Sequence, residues 1–300
     1  MQIVNFIKNW ALVFAILIGI GGYRWFPKAD FIMPYLLFFM LLFTFCRISP
    51  REIRFSRIHL WFLLIQIFGS LTLYIACEPF SHVAAECFLM CVLAPTAAAS
   101  AVVTMKLGGN GATNASYVLL SSTMVAFVAP LLFPIIHPQP AYEGFWVACF
   151  GILRHIMPIL IGPFVLAFIL KIVWPKLHAG MAAHHDISFY LWACCVVFAT
   201  AKTTAVIVEN KSDLALGILM MAGACLLCLG QFWLGKRLGA PVGDGISGGQ
   251  SLGQKNVVLA LWMASAYLSH LSLVGLGSYI IWQNLVNSVQ LYKKRQADKA

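Results

Sequence analysis

The sequence predicts an all-α polytopic membrane protein, with ten transmembrane helices arranged as two inverted five-helix repeats. First, 61% of the 300 residues are hydrophobic and only 10% are charged, a balance that no soluble domain of this size needs. Second, apolar runs of about 18 or more residues recur along the chain, as in helical membrane proteins. Third, two of these runs, one in each half, are interrupted midway by proline, glycine and small polar residues.

Ten apolar segments are predicted to cross the membrane. The first is predicted to be an uncleaved span, because it lacks a small-x-small cleavage site and its end carries Arg24 and Trp25, which indicate an interface anchor. Residues 137–155 open with prolines and carry aromatic anchors, so this segment is predicted to lie in the membrane interface. The predicted spans are residues 10–26, 31–46, 59–77, 82–106, 115–136, 156–174, 187–208, 214–238, 245–268 and 271–291.

The distribution of lysine and arginine predicts the orientation of these spans. With the amino terminus inside, fourteen of these residues fall in inside segments and four in outside segments. Two more, Lys202 and Lys255, fall within predicted spans. Since cytoplasmic loops are enriched in both residue types, the chain is predicted to be a multi-pass protein of the plasma membrane (a bacterial inner membrane) with both termini cytoplasmic.

The two interrupted spans point to a binding site. In the fourth span Pro95 is followed by Thr96, three alanines and Ser100, and in the ninth the glycine-rich stretch 243–256 contains Lys255. The breaks lie about 155 residues apart at matching places of two five-span halves, as in secondary transporters with inverted repeats. Broken helices expose backbone groups that bind an anion, a small cation or both. The alternative is that Pro95 only kinks its helix and the glycines only permit close packing.

Four short motifs lie in order on spans 4, 5, 9 and 10. They are APTAAASAVVT at 94–104, APLLFP at 129–134, the set Gly253, Asn256, Leu259 and Ala260, and WQNLVNS at 282–288. In sequence and in order these motifs resemble those of the bile acid:sodium symporter family. The resemblance extends over nearly the whole chain, from about residue 10 to residue 292.

This resemblance implies an architecture and a function. In that family spans 1, 2, 6 and 7 form a panel domain, and spans 3–5 and 8–10 form a core domain in which the broken helices 4 and 9 cross. The family transports organic anions by alternating access, usually coupled to sodium. The implied segments are 1–58 and 138–211 (panel, the latter with the interfacial segment), 59–137 and 212–292 (core), and a cytoplasmic tail at 293–300.

The chain departs from the family at the sodium ligands. Its motifs place Ser251 where the family has a glutamate and Lys255 where it has a glutamine, and Ala101 replaces an asparagine after Ser100. A sodium site needs several oxygen ligands, and a nearby ammonium repels a cation strongly in a low dielectric. The departures therefore argue against sodium coupling.

Lys255 carries the central hypothesis, in which its ammonium replaces the bound cation and donates to unwound carbonyls near Ser100 and Gln254. Transport would then be independent of sodium. Because a buried lysine readily changes its protonation state, proton coupling stays open, as does direct binding of an anionic substrate by Lys255. The alternative is that the side chain extends to a membrane interface. The predicted site residues are Thr96, Ser100, Ser122, Thr123, Ser251, Gln254, Lys255, Asn256 and Asn284.

Other polar residues in or near the spans receive structural interpretations. Lys202 is expected to reach the interface or to pair with Glu209. Glu86 is expected to pair with a lysine or to face the outer vestibule. His184, His185 and Asp186 lack spaced partners, so they are interpreted as a solvated loop and no metal site is predicted.

The predicted function is secondary active transport of a small organic anion, such as a bile-acid-like molecule or a keto acid. No enzyme motif appears, and no cofactor and no nucleic-acid partner are expected. The partners are the substrate and the lipid bilayer. Two rivals share the fold: a sensor that binds its ligand without moving it, and a channel.

Overall fold

The structure, a computed structural model, describes residues 2–47, 55–138, 140, 143–184, 186–210 and 213–299. Its described part is helical, without β-strands. In chain order the helices are α1 Gln2–Gly21, α2 Met33–Arg47, α3 Arg57–Leu64, α4 Ser70–Cys77, α5 His82–Leu93, α6 Ser100–Lys106, α7 Gly111–Ile136, α8 Phe145–Leu160, α9 Gly162–Val173, α10 Pro175–Ala183, α11 Asp186–Glu209, α12 Leu214–Gly239, α13 Gly245–Gly253, α14 Val257–Tyr267 and α15 Leu273–Ala297.

Several of these helices are long and apolar enough to cross a membrane. Among the described residues there are five, or six if α8 and α9, bent by 43° at their junction, form one span. The five are Phe26–Arg47, Arg57–Cys77, Gly111–Ile136, Asp186–Glu209 and Leu214–Val242. The chain is thus a multi-pass membrane protein. Ten spans stay a prediction, because α5 and α14 are short pieces of interrupted segments.

The smaller of two compact units comprises Met1–Ile48 and His155–Leu214. In this unit Lys202 of α11 forms an ion pair with Asp30, rather than with the expected Glu209. Asp30 lies in the 3-10 segment Phe26–Ile32, which packs against α11, with the rings of Phe26 and Phe198 5.3 Å apart. The charge of Lys202 is therefore neutralised within this unit.

The larger unit comprises Ser49–Arg154 and Ala215–Ala300. Most of the segment predicted to lie in the membrane interface, up to Arg154, belongs to this unit. Helices α5 and α14 are buried on nearly all sides, as expected for central helices. The outer helices instead expose large apolar side chains, as lipid-facing helices do. Examples are Trp61, Phe68, Phe127, Leu226 and Trp233.

Two glycines allow α12 and α13 to approach closely within the larger unit. A Cβ atom built on Gly235 would overlap the carbonyl group of Gly248, and one built on Gly248 would overlap that of Gly235. The obstacle is backbone in both cases, so it cannot be relieved by a side-chain rotation. This contact sets the position of α13, which leads into the second break.

We expect Gly235→Ala to destabilise the protein, because the added methyl group must push α13 away. Overpacking of this kind costs about 1–3 kcal/mol. Gly230→Ala is the matched control, since Gly230 lies on the same helix and a Cβ there meets nothing within 4 Å. Thermal unfolding of both variants in detergent checks the expectation. Equal melting temperatures for the two variants would contradict the close approach.

Candidate functional site

Both predicted breaks are present, and each has a local cause. The first separates α5, which ends at Leu93, from α6, which begins at Ser100. Pro95 disfavours helical geometry in the residue before it, and Ala94 adopts φ −46° and ψ 137°. The second separates α13 from α14, and there Gln254 is extended, with φ −94° and ψ 97°. Each break leaves backbone donors and acceptors without partners in their own helix.

The two breaks cross and pair with each other as antiparallel backbone. The amide of Ala97 donates to the carbonyl of Gln254 at 2.8 Å, and the amide of Asn256 donates to the carbonyl of Pro95 at 2.7 Å. Thr96 and Lys255 thus form an isolated antiparallel bridge. The crossing lies within the larger unit.

Lys255 is turned into this crossing. Its side chain is 1% exposed, and its Nζ donates to the carbonyl of Val92 at 2.8 Å. Val92 lies in the last turn of α5, whose final carbonyls have no partner within the helix. Among the described residues no carboxylate forms an ion pair with Lys255. In its charged form Lys255 therefore neutralises part of the negative end of the α5 dipole.

Three further side chains donate hydrogen bonds to backbone carbonyls at the breaks. Gln66 Nε2 donates to the carbonyls of both Leu93 and Ala94, at 2.7 Å each. Gln231 Nε2 donates to the carbonyl of Cys91 at 3.1 Å. The hydroxyl of Tyr279 donates to the carbonyl of Gly253 at 2.9 Å. The donors are all buried, so these bonds form out of contact with water.

Hydroxyl and amide groups form a second set of contacts beside the crossing. The Thr96 hydroxyl donates to the carbonyl of Ser251 at 2.6 Å. Asn114 accepts a hydrogen bond from Ser100 and donates to Ser251 Oγ at 3.0 Å. Ser251, which replaces the family's glutamate, is therefore engaged through both its carbonyl and its hydroxyl.

The hydrogen bonds on the two sides of the crossing match each other. Thr96 contacts the carbonyl of Ser251, four residues before Lys255, and Lys255 contacts the carbonyl of Val92, four residues before Thr96. The amide of Thr96 donates to Ser121 of α7, and the amide of Lys255 donates to Gln283 of α15. Each side also holds a buried glutamine–tyrosine pair. The pairs are Gln66 with Tyr117 and Gln231 with Tyr279.

The remaining predicted site residues differ in their relation to the crossing. Asn256 caps α14 by accepting a hydrogen bond from the amide of Leu259 at 3.3 Å. Gln254 takes part in the crossing through its backbone carbonyl, which accepts the hydrogen bond from Ala97. Asn284 donates to the carbonyl of Ile280 in its own helix. In the described part of the chain no hydrogen bond joins Ser122 or Thr123 to the crossing.

Four buried polar residues at the crossing were not predicted from the sequence. Their shared signal is an amide or hydroxyl within an apolar segment, where such groups bond between helices. Gln66 carries a second signal only in the structure, since it lies in the π-helical turn Ile65–Gly69, a geometry often found at functional sites. The four are Gln66, Asn114, Gln231 and Tyr279.

We expect Gln66→Met to destabilise the larger unit, because the carbonyls of Leu93 and Ala94 lose their donor. A buried polar group without a partner costs about 1–3 kcal/mol. Gln296→Met, on the exposed end of α15, is the matched control. The measurement is thermal unfolding in detergent. A Gln66→Met variant as stable as the control would show that these carbonyls do not need the amide.

Comparison with protein-family models identifies the chain. The model of the sodium bile acid symporter family matches residues 31–210, which include α5, the first break and α6. A search of curated proteins finds no significant match. The family match covers more than half of the chain and agrees with its apolar helices, so this chain belongs to the sodium bile acid symporter family.

Proposed function

We propose that the protein is a secondary active transporter of a small organic anion, in which the Lys255 ammonium takes the place of a coupling sodium ion. The substrate class comprises bile-acid-like molecules, keto acids and similar carboxylates. Membership of the family supports transport rather than enzyme chemistry. The observation that carries the proposal is the buried contact between Lys255 Nζ and the Val92 carbonyl at the crossing of two broken helices.

The matched hydrogen bonds support the ten-helix, inverted-repeat architecture that alternating access requires. A two-fold relation between the halves makes the Thr96 contact and the Lys255 contact equivalent. It also relates the positions of the two glutamine–tyrosine pairs, in which Tyr117 donates to Gln66 but Gln231 donates to Tyr279. Binding sites of such transporters lie at broken helices of the two repeats. The crossing is therefore the part of the chain that we assign to substrate or ion binding.

Charge repulsion and the shortage of free oxygen ligands at the crossing both favour Lys255 over a sodium ion. Two unit charges 4 Å apart repel by about 4 kcal/mol at an effective dielectric constant of 20. A sodium ion beside Lys255 would face this repulsion without the carboxylate that Ser251 replaces. The carbonyls of Val92, Leu93 and Ala94 already accept hydrogen bonds from side chains. In the proposal, the positive charge at the crossing is thus supplied by the protein itself.

The same charge indicates the substrate's sign and limits the coupling mechanism. A buried ammonium and the amino-terminal end of α14, which begins at Val257, both favour a negatively charged group. Because Lys255 is covalently attached, it cannot accompany the substrate across the membrane as a sodium ion does. The cycle is then either an exchange of anions or a co-transport of protons carried by Lys255.

We expect purified protein in lipid vesicles to take up radiolabelled cholate or pyruvate equally well with sodium and with choline as the external cation. Uptake should saturate with concentration and accelerate when the same anion is trapped inside. Strict sodium dependence would refute the replacement of sodium by Lys255. Binding of these probes without flux would indicate a sensor, and flux without saturation or exchange would indicate a channel.

Restoring the family residues should restore sodium dependence. In the triple variant Ala101→Asn, Ser251→Glu, Lys255→Gln, a carboxylate and two carboxamides replace the ammonium, so a sodium ion gains ligands and loses its competitor. We expect at least tenfold faster uptake in sodium than in choline for this variant. Lys299→Gln, at the exposed carboxyl-terminal end, is the control for loss of a lysine. A triple variant that transports without regard to sodium would count against the proposal.

A further inference from the structure

We propose that His82, Glu86 and His137 form a binding site for a divalent transition-metal ion, for which Zn²⁺ is the natural probe. The three side chains belong to the larger unit but lie away from the crossing, at the beginning of α5 and at the end of α7. By the charge-based orientation, both of these helix ends are on the outer side of the membrane. The proposal does not depend on what the protein transports.

The three ligand atoms already converge. Glu86 Oε1 lies 3.1 Å from His82 Nε2 and 2.8 Å from His137 Nδ1. One ligand atom from each residue falls within 4.8 Å of the other two. The two imidazole rings are stacked, with centroids 6.1 Å apart and planes at 28°. A small shift of the exposed imidazoles would open the space that a metal ion needs between these atoms.

Local structure explains this convergence. His82 and Glu86 are four residues apart on α5, so their side chains project from the same face of the helix. His137 follows the last residue of α7, where the backbone leaves helical geometry with φ −137° and ψ 83°. The ligands are therefore held by two helices whose ends are separated by about fifty residues of sequence.

Neighbouring groups hold the ligands in place, as the hydrogen-bond partners of metal ligands do. Glu86 is fully buried, and its other oxygen, Oε2, accepts a hydrogen bond from the amide of Ser269 at 2.8 Å. The remaining ring nitrogen of His82, Nδ1, lies 3.4 Å from the hydroxyl of Tyr74. Such contacts fix the rotation of a carboxylate and the tautomer of an imidazole.

The donor set selects the kind of ion. Two imidazole nitrogens and one carboxylate oxygen suit zinc and its neighbours among the transition metals, and they suit Mg²⁺ and Ca²⁺ poorly. With Glu86 ionised, the two imidazole nitrogens that contact Oε1 donate hydrogens to it. When a metal ion binds, each neutral imidazole carries its hydrogen on the other ring nitrogen, so that His82 Nε2, His137 Nδ1 and Glu86 Oε1 all bind the ion. The side chains of His82 and His137 are 41% and 35% exposed, so an ion and a water ligand can reach the site.

A metal ion here would clamp the outer ends of the larger unit. It would join the first turns of α5 to the end of α7, and the Ser269 contact extends the connection to the segment between α14 and α15. Helix α5 runs from this site directly to Val92, the partner of Lys255. Because an ion that binds only the folded state stabilises it, the melting temperature reports occupancy.

The experiment is a zinc titration of the purified, tag-free full chain, followed by calorimetry and by thermal unfolding. We expect saturable binding of one Zn²⁺ with a rise in melting temperature that Mg²⁺ does not produce. His82→Gln, Glu86→Gln and His137→Gln should each weaken binding at least about tenfold, as loss of groups at a metal site does. Visible absorption of bound Co²⁺ gives an independent record of the ligands.

Two controls test whether binding belongs to this site. His270→Gln removes an exposed histidine close in sequence to Ser269, and Cys194→Ser removes the one cysteine that is exposed. Both should bind zinc as the unmodified chain does. Should Glu86→Gln or His137→Gln fail to fold, the partly exposed His82 still provides a variant that tests the site. Absence of zinc binding, or binding unchanged in the three ligand variants, would overturn the proposal.

Discussion

A broken helix inside a membrane must find partners for its backbone groups, and this constraint shapes the larger unit. No water is available in the hydrocarbon region, so each unpaired amide or carbonyl costs several kcal/mol. Here the two breaks pair with each other through Thr96 and Lys255. Side chains from the surrounding helices donate to further carbonyls at the breaks, and the burial of α5 and α14 accompanies this arrangement.

The chemistry of the crossing follows from which donor each carbonyl receives. A free cation would need open oxygens, whereas Lys255 and Gln66 occupy the last carbonyls of α5. In the proposed function the positive charge is thereby retained at the site but attached to the protein. Ser251, without a carboxylate, forms hydrogen bonds with Thr96 and Asn114 and adds no negative charge. We therefore propose an anionic substrate for this site.

The sequence predicted the two breaks correctly because proline and clustered glycines leave a local signal. It also placed Lys255 within a span, although only the structure shows that its ammonium contacts Val92. The partners Gln66, Gln231 and Tyr279 were missed, since they lie on other helices and their contacts depend on packing that no local pattern specifies. For the same reason Lys202 was expected beside Glu209, which is near in sequence, while the structure pairs it with Asp30.

The central claim is that a tethered ammonium has replaced a sodium ion at the crossing. Sodium titration of the melting temperature, with choline holding the ionic strength constant, tests this claim without knowledge of the substrate. A ligand that binds the folded state raises the melting temperature as its concentration increases. The account predicts identical melting curves in sodium and in choline. A saturable rise specific to sodium would contradict it.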